Sequence, residues 1–124
     1  MTDSAIENEI QAKGLTAPRV TPADVEAAIR GEHYFTAADG VMHVRREERF
    51  VADPRGPLPL LTFCVLVLRN GFTVTGESAC ASPENFDAEL GRKIARQNAV
   101  NKVWPLLGYA LKERLADGSL AATA

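Results

Sequence analysis

Three stretches of the chain, all between Leu60 and Tyr109, predict an α+β fold. Leu60 to Leu68 is apolar at alternate and intervening positions alike, the mark of a strand central in a sheet or covered on both faces. Phe72 to Ala79 sets Phe72 and Val74 against Thr73, Thr75 and Glu77, and the two runs meet at Asn70-Gly71, a hairpin signal. Ser82-Pro83-Glu84 then offers a cap, a proline and an acid, the chemistry of a helix start. The predicted architecture is a four-strand antiparallel meander with a short N-terminal helix and a C-terminal helical pair packed on one face.

Length and charge narrow the class. The chain has 124 residues, enough for one domain with a real core. A net charge of −2 supplies no global attraction to nucleic acid or anionic lipid. Two cysteines are too few for a disulfide framework. With a two-residue turn at Asn70-Gly71, Val65 faces Gly76 and Cys64 faces Glu77. Cys64 and Cys80 then point to opposite faces, so reduced thiols are expected. The N-terminus MTDSAIENEIQAKG has neither the basic nor the apolar region of a signal peptide. Leu58 to Leu68, the longest apolar run, is too short to span a bilayer. The expectation is a cytoplasmic protein with no membrane partner.

From the N-terminus, residues 1–20 carry a weak helical signal at Ile6 and Ile10 and read as a flexible tail before a domain at 21–116. Thr21-Pro22-Ala23-Asp24 is a helix start, with threonine capping, proline at the first helical position and aspartate at the third. Val25, Ala28 and Ile29 form its apolar stripe and Gly31 its end. His33 to Thr36 reads as a strand, Asp39-Gly40 as a turn, and Val41 to Val51 as the return strand. That return strand alternates Met42, Val44, Arg46, Glu48 and Phe50 against His43, Arg45, Glu47 and Arg49, the pattern of a charged edge strand. Asp53 to Pro59 holds three prolines and a glycine and is a loop. Beyond Ser82, Phe86, Leu90, Ile94 and Trp104 share an apolar helix sector. Ala88, Gly91, Ala95 and Ala99 share an adjacent small-residue sector that permits close approach of a neighbour. Pro105 breaks or kinks the helix, and Leu107, Leu111 and Leu115 mark a second one. Asp117-Gly118 ends it, with a frayed tail over 117–124.

The second half carries a resemblance. Asn70-Gly71-Phe72, Gly76-Glu77-Ser78-Ala79, Phe86-Asp87, Gly91-Arg92-Lys93-Ile94-Ala95, Asn98-Ala99, Trp104-Pro105-Leu106 and Gly108-Tyr109 resemble a family of small tailed-phage proteins. That family is named for gene 49 of coliphage N-four and gene 66 of Shigella phage Sf-six. Tyr34-Phe35 after a short helix also fits, and the likeness covers residues 22–115. Residues 39–57 read as an insertion relative to the usual member. The resemblance implies a phage or prophage origin, hence the host bacterial cytoplasm, and supplies no catalytic residue to carry over.

Reacting groups are sparse. His33, His43, Glu47, Glu48, Cys64 and Cys80 are the candidate metal ligands, but no CxxC, HxxxH or HExxH spacing occurs. With two histidines, a base beside a serine or cysteine nucleophile is not expected, and no glycine-rich loop cradles a phosphate. The expectation is a non-enzyme without cofactor or metal.

Two surfaces remain. Arg45, Arg46, Arg49 and Arg55, on the inserted strand and loop, suit contact with a host protein or protein–RNA complex. This leads to a phage accessory protein that binds and inhibits a host factor, an anti-defence protein of anti-CRISPR type. Alternatively, Arg92, Lys93 and Arg96 form a basic helix flank beside Gln97 and Asn98, which suits a nucleotide or nucleic acid, as in a sponge for a defence signalling nucleotide. A homo-oligomer is compatible with either.

Overall fold

The computed structural model describes residues 2–120. In chain order the elements are α1 (Asp3–Ala12), α2 (Pro22–Ala28), β1 (Ile29–Thr36), α3 (Ala37–Val44), β2 (Leu61–Leu68), β3 (Thr73–Ala79) and α4 (Ala88–Ala116). Short 3-10 turns stand at Arg46–Glu48, Leu58–Leu60 and Pro83–Asn85. The chain divides into two compact units. Ile29–Lys102 makes a sheet unit, and the segments through Ala28 and from Val103 make a terminal unit.

In the terminal unit, the Thr2 hydroxyl accepts from the Ala5 amide at 3.0 Å and caps α1. Arg19 grips the Glu7 carboxylate with two hydrogen bonds, 2.6 and 2.8 Å. The Trp104 indole donates to Asp3 at 3.2 Å. The Thr21 helix start is realised as a reciprocal box: the Asp24 amide donates to Thr21 Oγ1 at 3.1 Å and the Thr21 amide to Asp24 Oδ2 at 2.9 Å. Val25 and Ala28 on α2 are buried as the stripe predicts, but α2 stops at Ala28 and not Gly31.

The sheet unit is built on three antiparallel strands in the order β1-β2-β3. The expected fourth strand, Val41 to Val51, is absent. Its first residues lie in α3, and Asp39-Gly40 sits inside that helix instead of forming a turn. The cause is a capping box: the Asp39 amide donates to Thr36 Oγ1 at 3.2 Å and the Thr36 amide to Asp39 Oδ2 at 2.9 Å. Thr36 thus ends the strand and starts a helix, and β1 pairs directly with β2, His33 opposite Val65. The strand itself begins earlier than expected, at Ile29, with a register shift between Ile29 and Gly31.

The hairpin falls where Asn70-Gly71 places it, with one residue more in its loop. Gly71 donates to the Leu68 carbonyl at 2.9 Å, and Leu68 donates to Phe72 at 2.8 Å. The loop is Arg69 to Gly71, with Gly71 at φ 89°, a conformation that favours glycine. The register is therefore Cys64 opposite Gly76, not Cys64 opposite Glu77. A one-residue slip exchanges the two faces of a strand. Thr62, Cys64, Leu66 and Leu68 share the buried face with Val74 and Gly76, whereas Phe63, Val65 and Val67 share the other with Thr73, Thr75 and Glu77. Cys64 and Cys80 are free thiols, Cys64 fully buried.

Two helix expectations also change. Ser82 makes no side-chain cap bond and opens only the 3-10 turn; α4 starts after Asp87, whose Oδ1 accepts from the Leu90 amide at 3.1 Å. The C-terminal helical pair is one helix, with Pro105 inside it. Proline removes a single backbone bond there, and the turns on either side carry the helix through. Positions 121–124 of the predicted frayed tail lie outside the described residues.

Candidate functional site

Small residues bring α4 onto the buried sheet face. Gly91, Ala95 and Ala99 are buried, while Leu90 and Ile94 are 54% and 43% exposed. Of the apolar sector, Leu90 and Ile94 are thus turned outward while Phe86 and Trp104 stay half-buried, and the small residues Gly91, Ala95 and Ala99 face the sheet. A β-carbon on Gly91 would stand 3.2 Å from Thr62 Oγ1 and 3.9 Å from the Phe86 ring. That approach sets Arg92 beside the end of β1. Arg92, Tyr34, Phe35, Thr36, Asp39, Thr62, Phe86 and Ala88 line a cavity of about 100 Å³. Thr36 and Asp39 are spent on each other in the capping box. Arg92 has no hydrogen-bond or ion-pair partner among the described residues.

The other members of the predicted basic flank are engaged. Arg96 Nε donates to Glu32 at 2.6 Å, joining α4 to β1. Lys93 pairs with Glu89 at 3.3 Å. Gln97 donates to Asn101 at 2.9 Å, and Asn98 donates to the Glu77 carbonyl at 2.8 Å, joining α4 to β3. Under α4, the Tyr34 hydroxyl lies 3.5 Å from Glu32. Burial, with the Cys64 thiol and Glu32 nearby, pushes Tyr34 up to about 12. Burial likewise pushes the Cys64 thiol up, so it is held as a poor nucleophile.

The arginines predicted for partner contact do not form a strand row. Arg45 pairs with Glu48 at 2.5 Å and lies 4.0 Å over the Phe50 ring. Arg46 donates to the His43 carbonyl at 2.8 Å. Arg49 is exposed at φ 54°, and Arg55 pairs with Glu84. Helix geometry and local acids scatter the charges that strict alternation would have aligned. Among the described residues, no group of three or more histidine, cysteine, aspartate or glutamate side chains is arranged to hold a metal ion.

A second surface was not anticipated in this form. Phe35 and Phe63 stack with centroids 5.4 Å apart, and Val65 and Val67 continue the row along β2. Phe35 is 41% exposed. A two-residue turn would have set Leu66 and Leu68 beside Thr75 and Thr73; the three-residue loop sets Val65 and Val67 there instead. Thr62, a lone hydroxyl in an apolar strand, was the one local hint of the cavity.

Fold and site define a small α+β protein with an apolar sheet face and one unspent guanidinium at a cavity. Residues 20–115 match the model of the Phage protein (N4 Gp49/phage Sf6 gene 66) family, and the chain belongs to that family. No curated protein and no solved structure matches it. No helix among the described residues is long and apolar enough to cross a membrane.

Proposed function

We propose that this phage-family protein is a non-enzymatic accessory protein that binds and inhibits a host factor. A bacterial defence component, such as a protein or protein–RNA effector of CRISPR type, is the class we favour. The observation that supports binding is the row Phe35, Phe63, Val65 and Val67 on the face of the sheet opposite Leu66 and Gly76. A half-buried apolar row with Phe35 exposed at its end, rimmed by the exposed Thr73, Thr75 and Glu77, has the composition of a protein contact. The local pairing of Arg45, Arg46 and Arg55 moves the weight of the reading from the arginines to this face. The test is Val65→Glu in an immunity assay in the host, beside affinity capture of the host factor. Loss of both inhibition and capture at an unchanged melting temperature is expected. A variant that inhibits as well as the parent removes this face from the reading.

A second reading, a nucleotide or nucleic acid held at the basic flank of α4, rests on Arg92, an exposed guanidinium with no hydrogen-bond or ion-pair partner among the described residues. Arg96, Lys93, Gln97 and Asn98 add little to it, since each already has a partner. Calorimetric titration with nucleotides and short DNA at low salt checks it, and an absence of heat rejects it.

A further inference from the structure

Trp104 is the chain's single tryptophan and is half-buried. Beside it, within the terminal unit, lies a crevice of about 250 Å³. Ile6 and Ile10 of α1 wall it together with Val20, Pro22 and Trp104. Ile6 is 44% exposed and α1 buries no residue, so the helix leaves the space unfilled. The room is that of roughly eight waters, enough for one long side chain and below the size of a cofactor pocket.

Two carboxylates reach the crevice, and one has capacity left. Both Glu7 oxygens are taken, Oε1 by Arg19 and Oε2 by Arg19 and Gln11. Asp3 accepts from the Trp104 indole through Oδ2, which leaves Oδ1 without a hydrogen-bond partner among the described residues. The α1 terminus brings about half a unit of positive charge and Asp3 a full negative one, so the crevice stays negative. Apolar walls with one anionic oxygen suit an aliphatic stem that ends in a cation, and an aromatic wall adds to its hold. Lysine fits better than arginine. Its ammonium is a point charge that one oxygen satisfies, whereas the guanidinium fork is matched to two.

We propose that this crevice binds a lysine side chain of a protein partner, its stem along Ile6, Ile10 and Trp104 and its ammonium on Asp3 Oδ1. The site shares no residue with the sheet face proposed above and does not rest on that reading.

The test is a fluorescence titration of the full chain, in which Trp104 is the only indole to report. The probes are the Nα-acetyl methylamides of lysine, arginine and norleucine, and putrescine. Norleucine keeps the aliphatic stem without the charge, and putrescine is a free diamine without a peptide. A saturable change with the lysine amide is expected, tighter than with the other three. It should be at least tenfold weaker in Asp3→Asn, which keeps an oxygen to accept from the indole. Equal affinity for norleucine overturns the charged anchor, and equal affinity for arginine overturns the choice of lysine. Tighter binding of putrescine overturns the protein partner in favour of a free diamine. A linear, non-saturating response to every probe overturns the site, as does undiminished lysine affinity in Asp3→Asn. Should Asp3→Asn change the emission of the unliganded protein, the stem contact decides: lysine affinity undiminished in Ile10→Gln overturns the proposal instead.

Discussion

Gly76 on β3 lies against the α4 turn that carries Ala99. A β-carbon at Gly76 would fall inside the contact radius of the Ala99 amide nitrogen and the Ala95 carbonyl oxygen, and 2.9 Å from the Asn98 carbonyl carbon. The neighbours are backbone atoms of a helix, so none can swing aside. This contact explains why α4 turns Gly91, Ala95 and Ala99 inward and leaves Leu90 and Ile94 exposed. Only a stripe of small residues fits at that separation.

Gly76→Ala should therefore cost about 3 kcal/mol or more, the upper range for overfilling a packed site. Gly40→Ala is the control. Gly40 lies within α3 with nothing within 4 Å of its would-be β-carbon, and alanine there should stabilise by about 0.5–1 kcal/mol. Denaturant midpoints of the two variants are expected to move in opposite directions.

Tyr34 should titrate late. Its hydroxyl is raised from 10.0 to about 12 by burial, with Cys64 and Glu32 adding to the effect. A folded value above the unfolded one gives stability that is complete below pH 10 and is lost as pH rises through 12. Phenolate absorbance of a Tyr109→Phe variant reads Tyr34 alone. Unfolding in the same alkaline window is expected, and ionisation of Tyr34 near pH 10 in the folded protein would refute the assignment.

Glu7 should behave in the opposite sense. The hydrogen bonds from Arg19, then that from Gln11, then the Arg19 charge, hold its carboxyl down to about 2 from 4.5. The contribution of the pair is present above pH 4.5 and fades as pH falls toward 2. Arg19→Gln should return the Glu7 carboxyl toward 4.5 in an NMR titration and should leave the sheet signals in place.

Thr36→Ala removes the hydroxyl that accepts from the Asp39 amide. A loss of about 1 kcal/mol is expected, the usual worth of such a cap. Exchange of the α3 amides should rise before that of β2.

Chemistry confined to a few neighbouring residues was legible in advance. The Thr21–Asp24 box and the hairpin site at Asn70-Gly71 are local events, and the sequence displays them. Loop length was not legible, because Asn-Gly serves a two-residue turn and also a three-residue loop with glycine at positive φ. The alternation from Met42 to Phe50 misled because those positions lie at the surface, where nothing tests a period; Thr36 and Asp39 carried the deciding signal. Pro105 was read as a break or kink with a second helix beyond it; the helix runs on through it, because the turns that flank the lost bond carry it. Of the cavity, Arg92 was on the basic flank already identified. Thr62, Tyr34 and Phe86 join it only through the contact of Gly91 with β2, a relation between distant positions that no spacing rule contains.

The loop from Arg69 to Gly71 has an evolutionary corollary. Relatives that gain or lose one residue there, without a compensating bulge, would rotate β3 by half a turn against β2. Glu77 would then be driven under the helix, and Gly76 would lie on the outside. Deletion is therefore a harsher change at this tip than any side-chain replacement, although the tip itself is fully open to water.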